Sequence, residues 1–216
     1  MVLRDKNGLT EKEFLERYQP GDYPRPSVTA DILVFALGET LPRLLLIRRG
    51  GHPHLGSWAL PGGFANPDES VDEAAARELL EETHITGLPL VQLGMFSDPG
   101  RDPRTWVITQ AYIAVVDRSN IHPAADDDAA DAQWFSVGCR MKANRAFLTL
   151  RSDGTELSAT LSVHSCQTLC GWKHDIKILD CSGLAFDHAK IILSGLLRLQ
   201  QESSETQNGP VHLKDG

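Results

Sequence analysis

The chain has 216 residues, of which 41% are hydrophobic and 23% are charged, and its formal net charge is −8. This length suits one domain, or one domain with an elaboration, and the composition is that of a globular protein that needs no metal or disulfide to build a core. The negative charge argues against a general nucleic-acid or membrane surface. An anionic substrate can still bind if a divalent cation bridges it to the protein.

The cysteines and the N-terminus predict a cytoplasmic protein. The four cysteines (Cys139, Cys166, Cys170 and Cys181) are few for this length and form no secreted framework, which predicts reduced thiols. Cys166 and Cys170, with His164 and His174 nearby, match no standard zinc spacing. The opening "MVLRDKNGLTEKEF" has no apolar stretch of a signal peptide, and no apolar run reaches the length of about 18 residues that a membrane span requires.

The first segment, residues 1–27, is predicted to be a helix followed by a linker. In "LTEKEFLERY" Thr10 precedes Glu13 by three residues, which is the pattern of a capping box. The following "QPGDYPRPS" contains three prolines and a glycine, which end a helix.

Residues 28–200 are predicted to form the main domain, in which strands alternate with helices. The apolar, β-branched runs predict strands, with a turn at "LGET" and a loop at 98–104, and the spacing of apolar residues predicts a helix over 70–83. The predicted strands are 28–37, 42–51, 88–97, 105–116 and the short 132–137. No glycine fingerprint follows the first strand, so an α/β sandwich is favoured over a parallel dinucleotide-binding sheet.

The last third of the chain is predicted to contain a β-rich insertion and a helix. Residues 146–181 contain a hairpin around Asp153-Gly154, with alternating apolar residues on one face. "LAFDHAKIILSGLLRLQ", residues 184–200, has apolar residues at helical spacing. The polar tail 201–216 is predicted to be disordered.

The helix predicted over 70–83 carries an unusual concentration of negative charge. Glu78, Glu81 and Glu82 stand at positions i, i+3 and i+4 and therefore share one face. They repel one another, and they lie near the C-terminal end of the helix, where its dipole disfavours negative charge. On charge alone a solvated surface face is the commoner outcome. A group of hard carboxylate oxygens is also the natural binding site for Mg²⁺ or Mn²⁺.

The surrounding spacing decides between these two interpretations. From Gly63 the chain reads glycine, five residues, Glu69, seven residues, then "RELLEETHI" over 77–85. This pattern resembles the Nudix box, Gly-x5-Glu-x7-Arg-Glu-U-x-Glu-Glu-x-Gly-U, where U is a bulky apolar residue. The one departure is His84 at the closing glycine. Either His84 takes the left-handed conformation of that glycine or the helix continues towards Gly87.

The resemblance to the Nudix family implies a fold and an activity. The fold is the Nudix α/β/α sandwich with a mixed sheet, to which this chain adds the C-terminal hairpin insertion and helix. The activity is hydrolysis of a nucleoside diphosphate linked to another moiety. Segments such as "GSWALPGGF" and "PGRDPRTWVITQAY" are similar to the branch of ADP-ribose pyrophosphatases and NAD-metabolism regulators, so the expected reaction is ADP-ribose to AMP and ribose 5-phosphate, by a homodimer.

Two alternatives remain open. The chain could hydrolyse another nucleotide derivative in a housecleaning role, because the box does not specify the leaving group. It could instead be a Nudix-fold transcriptional regulator that senses ADP-ribose. Such regulators carry a basic recognition helix, which residues 138–216 do not display.

The resemblance also assigns roles to individual residues. Glu78, Glu81 and Glu82, with the carbonyl of Gly63, are expected to bind the divalent metal, and Arg77 paired with Glu69 is expected to orient them. The general base is expected to be Glu78 or Glu81, or else one of Asp126, Asp127 and Asp128 in a later loop. Candidate substrate contacts are aromatic residues and loop arginines: Trp58, Phe64, Phe96, Arg101 and Arg104. Core packing is the favoured interpretation of each aromatic residue, and a solvated loop is the alternative for the two arginines.

Overall fold

The computed structural model describes residues 2–37, 41–117, 132–169 and 171–207. The helices are α1 (Glu11–Arg17), α2 (Val71–Thr83) and α3 (His188–Gln207), with a short 3₁₀ turn at Pro20–Asp22. The strands are β1 (Ser27–Leu37), β2 (Arg43–Arg48), β3 (Trp58–Ala59), β4 (Gly62–Phe64), β5 (Val91–Phe96), β6 (Val107–Asp117), β7 (Ala132–Lys142), β8 (Arg145–Ser152), β9 (Thr155–Thr168) and β10 (Gly171–Ser182). None of the described helices has the length and apolar character needed to cross a membrane.

One mixed sheet forms the centre of the molecule. Its strand order is β10-β9-β8-β7-β2-β1-β6-β5, with β3 paired to β2 and β4 paired to β1. The β1–β6 pair is parallel along its whole length, whereas the other pairs are antiparallel. The central strand β1 is continuously buried from Thr29 to Ala36, as expected for a strand with both faces covered.

A helix covers each face of this sheet. On one face, Ala75 and Leu79 of α2 pack with Ile32 and Val34 of β1. On the other face, the apolar side of α3 packs with Leu33, Phe35 and the buried side chains of β7, β8 and β9. Alternate side chains of β1 therefore pack into the two cores on opposite faces of the sheet. This arrangement confirms the predicted α/β sandwich with a mixed sheet.

The C-terminal part of the sheet is larger than the sequence predicted. The hairpin at Asp153-Gly154 is present, and the predicted apolar face of β9 is buried. However, β7 continues to Lys142, and β10 adds a fourth strand, so that β7 to β10 form an antiparallel meander continuous with the main sheet. The helix α3 begins only at His188 and continues to Gln207, past the predicted end. The predicted "LGET" turn and Asp126 to Asp128 fall outside the described residues.

The ends of α2 follow from local sequence. Ser70 caps its N-terminus in a capping box with Glu73. At the other end His84 has φ 58° and ψ 16°, and its N–H donates to the Leu80 carbonyl at 2.8 Å. His84 therefore takes the left-handed conformation, at a cost of about 1 kcal/mol relative to glycine, and the helix does not continue towards Gly87.

Candidate functional site

Arg77 organises the acidic face of α2. Its Nε and Nη2 atoms donate to the two carboxylate oxygens of Glu69 at 3.0 and 2.7 Å. Its Nη1 donates to Glu78 at 2.8 Å and to Glu81 at 3.2 Å, and Nη2 also donates to the Phe64 carbonyl at 3.0 Å. These hydrogen bonds from Arg77 lower the pKa of Glu69 to about 2. The predicted pairing of Arg77 with Glu69 is therefore present, and one guanidinium fixes three carboxylates.

Two glycines of β4 bring the backbone against the same face. The Gly62 N–H donates to Glu82 Oε2 at 2.8 Å. At Gly63 there is no room for a side chain, since a Cβ atom there would lie 2.5 Å from the carboxylate of Glu78. At Gly62 a Cβ atom would lie 2.1 Å from the carbonyl oxygen of Ala30. Gly62 is therefore required for the close approach of β4 to the neighbouring strand, whereas the lack of a side chain at Gly63 leaves the space that the Glu78 carboxylate occupies.

Glu82 lies in an environment that disfavours its charged form. Burial raises its pKa to about 7, with a further contribution from the charge of Glu78, although the hydrogen bond from Gly62 acts in the opposite direction. A cation near Glu82 would offset both unfavourable effects. A positively charged ligand would therefore stabilise the charged form of Glu82.

The donor set fits a divalent cation such as Mg²⁺ or Mn²⁺. Glu78 and Glu82 supply hard oxygen donors beside the backbone of Gly62 and Gly63, and Glu81 adds a more exposed carboxylate. Within 2–37, 41–117, 132–169 and 171–207, no three His, Cys, Asp or Glu side chains already converge on one point suited to an ion. Arg77 donates to one oxygen of Glu78 and to one oxygen of Glu81, so the second oxygen of each carboxylate is the one that remains for a cation.

A cleft lies next to β4 and contains a buried ionic cluster. Asp31, Arg101 and His188 line this cleft. Arg101 donates to both oxygens of Asp187, at 3.0 and 2.7 Å, and its Nη2 lies 3.5 Å from Asp31. The Leu60 N–H donates to Nδ1 of His188 at 2.9 Å, and burial lowers the pKa of that histidine, so its proton is on Nε2, 3.5 Å from Asp31.

The position of Arg101 differs from the prediction. Its side chain is only 5% exposed, and its donors are directed at Asp187 and Asp31. The side chain of Arg101 points inward from the loop 98–104, where its positive charge offsets the negative charges of two buried carboxylates. The sequence did not single out Asp31, Asp187 or His188 as site residues, although "LAFDHAK" contains an acidic residue and a histidine where the amphipathic helix α3 begins.

We expect Arg101→Ala to act on stability before it acts on substrate binding. The substitution leaves two buried carboxylates without their cation, which costs about 3–5 kcal/mol in comparable cases. Urea unfolding measures this loss. Arg151→Ala is the matched control, because the pair with Glu156 is largely exposed and contributes at most about 1 kcal/mol. A stable Arg101→Ala variant with a raised KM would instead restore the role of Arg101 as a substrate contact.

The predicted aromatic contacts separate into two groups. Trp58 packs edge-on against Phe135, with ring centroids 4.8 Å apart, and belongs to the core on the α3 side of the sheet. Phe96 packs against the same core and lines a separate groove between β5, β10 and α3. The structure therefore does not bring Trp58 or Phe96 to the cleft. Phe64, by contrast, lines it.

Arg104, a candidate substrate contact, lines the cleft. Its side chain is 41% exposed and pairs with Asp102 through Nε and Nη2, at 3.0 and 2.7 Å. Its guanidinium carbon lies 5.0 Å from the ring centroid of Phe64 and 5.8 Å from that of Phe186. Arg49, which the sequence did not single out, lies 4.8 Å from the same Phe186 ring. Arg49, Phe186, Arg104 and Phe64 thus form an arginine–aromatic row along the cleft.

Comparison with known sequences gives a consistent picture. A family model described as "NUDIX domain" matches residues 25–142. The chain is 33% identical over 143 residues to the ADPR responsive transcriptional repressor NtrR of Acinetobacter baylyi, a match that covers 65% of this chain and 57% of the repressor. It is 36% identical over 129 residues to the ADP-ribose pyrophosphatase of Methanocaldococcus jannaschii, covering 60% of this chain and 72% of that enzyme.

Solved structures agree with the sequence matches. A MutT/nudix family protein from Enterococcus faecalis superposes with a TM-score of 0.67 at 33% identity, covering 89% of this chain and 70% of that one. The NUDIX domain of Shewanella oneidensis NrtR, complexed with ADP ribose, gives a TM-score of 0.55 at 25% identity, covering 88% of this chain and 99% of that domain. The chain thus spans nearly the whole of that domain but less than two thirds of the Acinetobacter repressor.

Proposed function

The chain belongs to the NUDIX family, as its sequence predicts, and from that premise we propose that it is a divalent-metal-dependent pyrophosphohydrolase that cleaves ADP-ribose to AMP and ribose 5-phosphate. The observation that carries the proposal is the meeting of Glu78 and Glu82 with the backbone of Gly62 and Gly63 at the edge of the cleft. This arrangement supports the proposal, because carboxylates beside a backbone without side chains suit a metal ion that carries a diphosphate.

Each residue of the acidic face has a distinct part in this proposal. Glu78, Glu82 and the Gly63 carbonyl hold Mg²⁺ or Mn²⁺, which when bound neutralises phosphate charge and lowers the pKa of a coordinated water. Arg77 and Glu69 keep the carboxylates oriented. Glu81 suits the general base better than Glu78, because its side chain is 57% exposed whereas that of Glu78 is 14% exposed and packs on Gly63.

The choice of ADP-ribose is supported by relatives of two kinds. One relative is an ADP-ribose pyrophosphatase and another is an ADPR-responsive repressor, and the NrtR domain was solved in complex with ADP ribose. Arg104 and Phe64, at the edge of the cleft beside Gly63, offer a cation and a ring to the groups attached to the diphosphate.

We expect purified protein with Mg²⁺ to split ADP-ribose faster than NADH, ATP or 8-oxo-dGTP. The measurement is kcat/KM for each compound, with the products identified by mass spectrometry as AMP and ribose 5-phosphate. A higher kcat/KM for 8-oxo-dGTP would favour the housecleaning alternative. That alternative has a relative in the putative 8-oxo-dGTP diphosphatase of Bacillus subtilis, 38% identical over 71 residues.

The second candidate function is a sensor of ADP-ribose in transcriptional regulation. The similarity to the Acinetobacter repressor favours it, and an S. oneidensis NrtR structure contains a 27mer DNA. A sensor would bind ADP-ribose tightly but turn it over slowly or not at all. Calorimetric binding measured beside single-turnover hydrolysis therefore distinguishes the two functions in one preparation.

A further inference from the structure

The antiparallel meander β7–β10 has one face that no described helix covers. On the side of α3 its strands contribute buried side chains such as Ala146, Leu161 and Ile176. The core on the side of α2 includes Ala132 and Trp134, at the start of β7, but among the described residues it contains no side chain of β8, β9 or β10. We call the side of the meander that is turned away from α3 the outer face.

The outer face carries a row of positive charges. Lys142 of β7 lies opposite Arg145 of β8. Arg145 lies opposite Ser162 of β9, and Ser162 lies opposite Lys177 of β10. Directly opposite residues project to the same side of a sheet, and in β8, β9 and β10 these positions alternate with the buried side chains of the α3 side. The basic row, Lys142, Arg145 and Lys177, therefore crosses the outer face over about 14 Å.

The basic row has no counter-charge of its own. All three side chains are exposed, and none forms an ion pair with another residue that the structure describes. Like charges directly opposite each other, such as Lys142 and Arg145, destabilise a sheet. An arrangement that breaks a local rule in this way is expected where binding matters more than stability.

The charge of the meander differs from that of the rest of the chain. Residues 132–182 contain six arginines and lysines and four aspartates and glutamates, a formal charge of +2, whereas the whole chain has a charge of −8. The negative charge that argues against a general nucleic-acid surface is thus an average, from which this part of the sheet departs. A local positive surface attracts anions whatever the sign of the total charge.

A pair of flat groups lies beside the basic row. Arg140 of β7 is directly opposite Phe147 of β8, and its guanidinium carbon lies 5.0 Å from the centroid of that ring. Phe147 is half-buried and belongs to neither of the two hydrophobic cores. Thr160 of β9, opposite Phe147, adds a hydroxyl to the same line. Nucleobases stack on aromatic rings and on guanidinium planes, and hydroxyls donate to phosphate oxygens.

We propose that the outer face binds single-stranded nucleic acid, with phosphates on the basic row and a base stacked on the Arg140–Phe147 pair. A line of cations suits a chain of repeated charges better than one small anion. A duplex keeps its bases stacked inside, and a lipid surface offers no ring. Asp175 and Asp180, at the β10 edge of the outer face, would be pressed against an anionic membrane, whereas a flexible strand can avoid them. This inference is independent of the proposed function.

The test measures binding of fluorescent oligouridylate and oligothymidylate to the whole chain by fluorescence anisotropy at low salt. Neutralisation of the basic row in Lys142→Gln/Arg145→Gln/Lys177→Gln should raise Kd about 10-fold or more. It should also reduce the slope of log Kd against log salt by about two, since each phosphate contact with a single strand contributes about 0.7. The melting temperature should not fall, because the substitutions remove repulsion between neighbouring cations. Tighter binding of one oligonucleotide identifies RNA or DNA as the natural strand, and either supports the inference.

Matched variants separate this face from general charge and general aromaticity. Lys6→Gln/Lys12→Gln/Arg17→Gln removes the same residue types and the same charge from the exposed N-terminal segment, and its Kd should stay within about twofold of wild type. Phe147→Leu keeps an apolar side chain but removes the ring, which should raise Kd about fivefold or more. Trp172→Leu is its control, because Trp172 is exposed on the α3 side of β10, and its Kd should not change.

Five results would overturn the inference. They are no measurable binding of either oligonucleotide by wild type, an unchanged Kd in the basic-row variant, an equal loss in the N-terminal control, an unchanged Kd in Phe147→Leu, and binding of a duplex as tight as that of the single strands. Binding to phosphatidylserine vesicles without binding to the oligonucleotides is one form of the first result and would assign the face to a membrane. Failure of wild type to hydrolyse ADP-ribose would refute the proposed substrate and leave this inference standing.

Discussion

Replacement of Glu82 by glutamine is expected to lower kcat by about 100-fold or more while the protein stays folded. Loss of a principal electrostatic stabiliser in an active site has effects of about 10²–10³. Glutamine has the same shape, and its amide oxygen can still accept the hydrogen bond from the Gly62 N–H. Only the negative charge that would bind the metal is removed. The measurement is kcat for ADP-ribose at saturating Mg²⁺, with circular dichroism to verify the fold.

Glu73→Gln provides the matched control for Glu82→Gln. It makes the same chemical change on the same helix, and glutamine serves equally well in the capping box with Ser70. Its activity should equal that of wild type. Near-normal turnover by Glu82→Gln, or full activity of wild type in excess EDTA, would contradict the role of the glutamates in metal binding.

Gly63→Ala is expected to reduce kcat about as much as Glu82→Gln does. It displaces the Glu78 carboxylate, whereas Glu82→Gln removes a carboxylate. The new methyl carbon would lie 2.5 Å from the Glu78 carboxylate, and the flexible glutamate side chain is the part that yields. A displacement of about 1 Å at a catalytic group can cost about 10²-fold in rate. The melting temperature should change little, because the three nearest heavy atoms all belong to the flexible Glu78 side chain. Steady-state kinetics and thermal melting measure the two effects separately.

Alanine substitutions at two other glycines serve as controls for Gly63→Ala. Gly51→Ala introduces the same methyl group where nothing lies within 4 Å, so both activity and stability should be retained. Gly62→Ala places its Cβ atom 2.1 Å from the Ala30 carbonyl oxygen, so it should impair folding itself. If Gly63→Ala resembled Gly51→Ala in rate, the close contact between Gly63 and Glu78 would have no part in catalysis.

The sequence predicted best those residues whose geometry is fixed locally. The spacing of Glu78, Glu81 and Glu82 on one helix determines their common face wherever the helix packs. The pairing of Arg77 with Glu69 was predicted from the family pattern, and the structure contains it. Their metal-binding role stays a prediction, because it depends on a ligand rather than on the fold.

The sequence predicted less well those residues whose environment is set by distant parts of the chain. Arg101 is buried because Asp31 and Asp187, 70 and 86 residues away, meet at its guanidinium. Trp58 and Phe96 pack against the core, which was the favoured interpretation, although no local pattern specifies the part of the core that they contact. The strand β10 was missed as a separate element because it is an edge strand, with mostly exposed side chains and no clear alternation.

The contribution of α3 to the cleft has a consequence for the order in which the protein matures. The acidic face and the two glycines of β4 depend on residues up to the end of β6, whereas Phe186, Asp187 and His188 arrive much later on the ribosome. The contact between Leu60 and His188 closes a loop of 128 residues, and such distant contacts tend to form late in folding. A nascent chain would thus present the glutamates proposed to bind metal before the cleft proposed to bind the nucleotide is complete.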